Sequence, residues 1–141
     1  MTAENRADDV SWDTETVAVR TRKQAAMSFL RDVAGGKVRE AFAAQVAPNF
    51  RHHNPYFRGD ANSLVAGIEE SDRRNPQRTF DIQHALEDGD LVAVHSLVRL
   101  KPEDPGIAVV HLLRFQGDRI VELWDIAQVI PADSPNENGA F

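Results

Sequence analysis

The sequence predicts an α+β domain in which helices come first and a meander of long strands follows. Two observations carry that prediction. Apolar residues recur at intervals of three and four through the first half, whereas the second half shows alternation or runs that are apolar on both faces. The length of 141 residues, with 42% hydrophobic and 27% charged side chains, fits one ordinary globular domain. A chain of this size buries enough surface to enclose an internal pocket without staples.

Residues 1 to 13 are polar, acidic and aperiodic apart from Trp12, and read as an N-terminal arm. The domain is expected over residues 14 to 130. From Thr14 to Val33 the positions Val19, Ala26, Phe29, Leu30 and Val33 share a helical face, and Gly35-Gly36 supplies the stop. Val38, Ala41, Phe42 and Val46 continue the period to Pro48 as a short second helix. A third starts at Asp60, a suitable N-cap, turns Ala61, Leu64, Val65 and Ile68 inward, and ends near Asn75-Pro76.

Alternation then takes over. Phe80, Ile82, His84 and Leu86 form the apolar side of an outer strand that runs into the turn Asp88-Gly89-Asp90. Leu91 to Leu100 and Ile107 to Phe115 are apolar on both faces and read as central strands joined by a proline-rich loop. Arg119 to Ile130 follows a tight turn at Gln116-Gly117-Asp118-Arg119, and residues 131 to 141 form a polar tail. Between the second and third helices, Arg51-His52-His53-Asn54-Pro55-Tyr56 reads as a short strand that the X-Pro bond keeps extended.

Composition excludes several functions. With no cysteine there is no disulfide framework, thiolate zinc site, iron–sulfur ligation or cysteine nucleophile. A formal charge of −6 has the wrong sign for a nucleic-acid partner. No apolar stretch approaches a bilayer span and no charged-then-apolar leader opens the chain, so a full-length cytoplasmic protein is expected. Glycine-rich phosphate loops and nucleophile elbows are absent. The histidines show neither His-x-His nor His-x-x-x-His spacing, so no metal is expected.

The informative residues are ionisable groups on strands that are apolar on both faces: His95, His111 and Asp125. Pairing Leu100 with Ile107 sets His95 roughly opposite His111, on one face. The last hairpin divides. A two-residue Gly117-Asp118 turn sets His111 opposite Trp124, whereas a three-residue loop with a bulge sets it opposite Leu123 and brings Asp125 onto its face.

At these residues the chain resembles the SnoaL-like polyketide cyclases of the NTF2-like superfamily, from about Arg22 to Phe141. The segments that carry the resemblance are Phe50-Arg51-His52-His53-Asn54-Pro55, Gly89-Asp90-Leu91-Val92-Ala93-Val94-His95, and Arg119-Ile120-Val121-Glu122-Leu123-Trp124-Asp125-Ile126-Ala127-Gln128. The terminal Asn138-Gly139-Ala140-Phe141 is also similar to the ends of many members. The resemblance implies a cone of curved, mostly antiparallel sheet closed by three helices, with an internal pocket. It makes Asp125 the acid/base carboxylate, His95 a pocket-wall imidazole, and His53 and Asn54 polar groups at the mouth; Trp124 and Gln128 match the pattern too. The chain departs from the predicted aldol-condensation subgroup in carrying His111 where Asp is common and Leu123 where His is common. Either the imidazole has crossed the strand pair, or catalysis has decayed.

The expected function is cofactor-independent acid/base chemistry, an aldol-type cyclisation or isomerisation, on a small apolar molecule bearing a carbonyl. Such chemistry needs a base for the proton beside the carbonyl and a donor for the enolate. The expected catalytic residues are Asp125, His111, His95 and His53, with Asn54, Tyr56, Trp124 and Gln128 binding substrate. All but Gln128 have a plainer reading: Asp125 tied to an arginine such as Arg114, His95 and His111 as satisfied core histidines, Asn54 bonding its own turn with His53 pointing outward, Trp124 as core, Tyr56 as a surface ring. A non-catalytic ligand-binding or dimerisation module is the rival function, and a homodimer is expected under both.

Overall fold

A computed structural model describes residues 20 to 141. The expected arm at residues 1 to 13 and the expected helical start from Thr14 to Val19 lie outside the described residues. Helix α1 spans Arg22–Ala34 and starts later than periodicity suggests, because Thr21 is its cap: the Thr21 hydroxyl accepts from Gln24 N at 3.0 Å while Gln24 Oε1 accepts from Thr21 N at 2.9 Å. Gly35 closes it, and Gly36, at φ 89°, takes the turn into α2 (Val38–Gln45). Val46, counted with α2 by periodicity, instead opens strand β1 (Val46–His52). Helix α3 spans Ala61–Arg74, with the Asp60 carboxylate accepting from Ser63 N at 2.9 Å.

Four strands complete the fold: β2 (Thr79–Asp88), β3 (Leu91–Arg99), β4 (Ile107–Gln116) and β5 (Arg119–Val129). With β1 they form one sheet in the order β1-β5-β4-β3-β2, antiparallel except for the parallel β1/β5 pair. The helices cover one face. Phe29, Leu30, Phe42 and Leu64 pack there on Val92, Val94, Leu113 and Ile120, all buried, with Phe29 and Phe42 ring centroids 5.3 Å apart. The other face is open, and Leu86 and Ile126 are among the exposed apolar side chains on it. Among the described residues no helix is long and apolar enough to cross a membrane.

Two irregularities decide which side chains share a face. In β2 the pairing passes from Ile82↔Ser96 to His84↔His95, so Gln83 is an inserted residue. Phe80 and Ile82 therefore face the core as expected, but His84 and Leu86 are turned to the open face and Ala85 takes the inner place. In β5 the pairing passes from Phe115↔Ile120 to Arg114↔Glu122, which makes Val121 a bulge. The last hairpin thus follows neither expected branch: the turn has two residues, with Gln116 paired to Arg119, yet His111 lies directly opposite Asp125.

The expectation that His95 and His111 share a face is wrong. Ile107 pairs with Val98 rather than Leu100, which sets His95 opposite Val110 and His111 opposite Val94. The two histidines are one register step out of line, and in a sheet one step is the difference between faces.

Candidate functional site

Beneath the helices, the core opens into a cavity of about 270 Å³. Its wall is mostly apolar, with Phe29, Leu30, Phe57, Ile68, Phe80 and Val98 among the residues that line it. Asp125, His111 and Asn54 interrupt that wall from β5, β4 and the connection after β1. Asp125 Oδ2 accepts a hydrogen bond from Asn54 Nδ2 at 3.1 Å, and Oδ1 stands 3.8 Å from His111 Nε2, beyond hydrogen-bond reach. His111 Nδ1 is sealed from solvent with no partner among the described residues. Burial lowers the His111 pKa from its ordinary value, and the nearby Asp125 charge opposes that only in part, so the imidazole is held neutral.

Asn54 closes its own turn and also reaches the cavity wall. Its Oδ1 accepts from Tyr56 N at 3.0 Å, closing a turn across Pro55, while its amide nitrogen reaches Asp125. Buried His52, which the sequence reading left without a role, anchors the same segment: Nδ1 accepts from Asn54 N at 3.1 Å and Nε2 meets the Arg58 carbonyl oxygen. The signal for it was the alternation of β1, where Phe50 and His52 both point inward. His53 N donates to Leu123 O at 2.9 Å, which pins this connection to β5.

The remaining expected site residues lie elsewhere. His53 and Trp124 are on the open face, their rings stacked at 5.0 Å and 14°. There they surround Glu122, a buried carboxylate that takes His53 Nε2 at 2.7 Å, Arg51 Nε at 3.0 Å and Arg114 Nε at 3.5 Å. Hydrogen bonds from Arg51 and His53 hold the Glu122 pKa below the usual carboxylate value. Arg114, the arginine suggested as a tie for Asp125, instead joins Glu122 and Asp90 and lies over the Trp124 ring. His95 is on the open face beside His84, with the two Nδ1 atoms 3.1 Å apart and Phe141 against the His95 ring. Tyr56 is 85% exposed in its loop, and Gln128 is exposed near the end of β5. No cluster of three or more His, Cys, Asp or Glu side chains with metal-binding geometry occurs among the described residues.

A family model described as a SnoaL-like domain matches residues 26 to 123. The chain belongs to the SnoaL-like family. No curated protein matches this SnoaL-like domain, but solved structures do. IdmH, a candidate polyketide cyclase from Streptomyces antibioticus, superposes with a TM-score of 0.63 at 19% identity, over 77% of this chain and 93% of IdmH. A candidate SnoaL-like polyketide cyclase from Jannaschia sp. CCS1 gives 0.65 at 13% identity, over 78% and 90% of the two chains. An NTF2-like protein of unknown function from Cytophaga hutchinsonii gives 0.63 at 14% identity, over 78% and 92%. At these identities the likeness is one of fold, and the SnoaL-like domain is an NTF2-like α+β cone.

Proposed function

We propose that this SnoaL-like domain performs cofactor-independent acid/base chemistry on a small carbonyl compound held in the cavity. The supporting observation is the circumstance of Asp125: a carboxylate on an apolar wall with one hydrogen bond, next to a neutral buried imidazole. In this reading Asp125 Oδ1, the oxygen free of Asn54, removes a proton from the carbon beside the substrate carbonyl. The electron pair moves into the C–C bond as the C=O becomes an enolate, and a donor must meet that oxygen. His111, neutral and so carrying one N–H, and the second amide hydrogen of Asn54 supply donors from the same wall. Protonation at another carbon gives an isomer; attack of the enolate carbon on a second carbonyl gives an aldol-type ring.

Of the other expected catalytic groups, His53 enters this scheme only by stacking and pairing on the reverse side of β5, where it fixes the strand that carries Asp125. His95 has no part in it. A homodimer through the open face belongs to the same reading, because that face leaves Leu86 and Ile126 in solvent.

A non-catalytic binding module is the second reading, and the 3.8 Å gap between His111 and Asp125 favours it, since no hydrogen bond yet links base and imidazole. Solvent deuterium exchange at the carbon beside a bound ketone separates the two. The acid/base reading expects exchange by the wild type and a loss of about 10²- to 10⁴-fold in Asp125→Asn, with the fold intact by circular dichroism. Exchange at the wild-type rate in that variant removes Asp125 from the chemistry, and a ligand bound without exchange establishes the module.

A further inference from the structure

The acid/base reading leaves a second polar group in the cavity wall without a task. Arg78 sits in the connection between α3 and β2, and its side chain is only 16% exposed and lines the cavity. Its Nη2 faces the Asp72 carboxylate of α3 and the Ala34 carbonyl oxygen at the end of α1, the latter at 3.5 Å. Asp72 Oδ1 is sealed from solvent and receives no aligned hydrogen bond, so the contact is coulombic. Arg78 Nε and Nη1 meet no acceptor among the described residues, and neither is a sealed atom. The guanidinium is thus held through Nη2 by α3 and the end of α1, while Nε and Nη1 keep free donor capacity among the described residues.

We propose that Arg78 anchors a carboxylate on the ligand, so that the molecule this cavity takes is a small keto acid with an apolar middle. The inference rests on the cavity being the ligand site, and it adds a ligand class and an orientation. Asp125 lies on β5, level with His111 and Val94, and Arg78 just precedes β2, three strands away and toward the other end of the curled sheet, where Thr79 is level with Arg99; both side chains line the one cavity. A ligand that fills the cavity therefore meets both groups. The two ends are electrically opposite. A ligand carboxylate is repelled from the Asp125 end and received at the Arg78 end, which directs the ketone to the base. Asp72 weakens the attraction without cancelling it, because Asp72 faces Nη2 while the ligand touches Nε or Nη1 directly, and coulombic energy falls with distance. Charge-assisted hydrogen bonds from arginine are the strong kind, and in an apolar cavity they discriminate against a neutral isostere.

The test is calorimetric binding of 4-oxo-4-phenylbutanoate and of its carboxamide, which has the same shape without the charge. The wild type is expected to bind the acid at least about tenfold more tightly than the amide. Rising ionic strength should weaken the acid more than the amide. Arg78→Gln should erase the preference and Arg78→Lys should keep part of it. If Arg78→Gln fails to fold with Asp72 left unpaired, the double variant Asp72→Asn/Arg78→Gln serves, since it removes both charges together. Equal affinity for the two probes, no binding of either, or a full preference surviving in Arg78→Gln or the double variant overturns the proposal. The two readings fail separately: deuterium exchange without an acid preference removes the Arg78 anchor alone, and an acid preference without exchange removes the acid/base role of Asp125 alone.

Discussion

Glu122 and Asp125 lie three residues apart on β5 and point to opposite faces of the sheet. Glu122, on the open face, is surrounded by Arg51, His53 and Arg114 and has little left to bond. Asp125, on the helix-covered face, has one hydrogen bond from Asn54 and an imidazole just out of reach. Burial strips hydration from Glu122 and the sheet returns it through partners, whereas Asp125 is more open to the cavity and keeps a single hydrogen-bond partner from the protein. A saturated carboxylate holds strands together; an unsaturated one, beside a cavity, is available to a ligand. Burial alone does not distinguish them, and Glu122 is in fact the more buried of the two.

That contrast should appear first in stability. Glu122→Gln is expected to cost about 1 to 2 kcal/mol in chemical denaturation, less than a fully buried pair loses because Arg51 is mostly exposed and rehydrates. Asp125→Asn should stay within about 0.5 kcal/mol. Equal losses would mean that both carboxylates are structural.

The pH dependence of folding sharpens the same contrast on the helix-covered face. Burial lowers the His111 pKa below its ordinary 6.5, so in acid the unfolded chain takes up a proton that the folded one refuses. Stability is therefore full above that value and falls as the pH drops through the window between the unfolded and folded values. The His111 contribution reaches at most about 1.4 kcal/mol per pH unit. Unfolding midpoints should fall less steeply toward acid in His111→Asn than in the wild type. Identical slopes would show an imidazole that protonates freely in place.

A smaller effect is expected at the cavity wall. A Cβ at Gly67 would overlap the Phe57 ring, which is 40% exposed and free to swing outward. Gly67→Ala should leave the unfolding midpoint nearly unchanged and weaken keto-acid binding severalfold, about 1 kcal/mol, as one aromatic wall of the cavity is displaced. Unchanged affinity would place the ligand away from Phe57.

Much of the fold is legible in the sequence. The three helices, the Asp60 cap, the Gly35 stop, the outer position of β2 and the central positions of β3 and β4 follow from spacing and turn chemistry. The β1 strand was harder, because Val46 fits a helical period as well as a strand and Pro48 interrupts the alternation. Of the site, the resemblance pointed to Asp125 and Asn54, which with His111 do line one cavity. It also pointed to His53, Trp124 and His95, which face the other way. Arg78 carried no pattern at all, since a lone arginine after a helix is ordinary until the cavity beside it is seen.

The sequence by itself determined which segments are helix and which are strand, because local periodicity and caps are written in consecutive residues. The tertiary structure decided which side chains meet. A strand alternates faces at every residue, so one inserted residue at Gln83 or Val121 exchanges everything beyond it between core and open face. Those choices depend on how neighbouring strands hydrogen-bond across the whole sheet, and no short stretch of the sequence holds them.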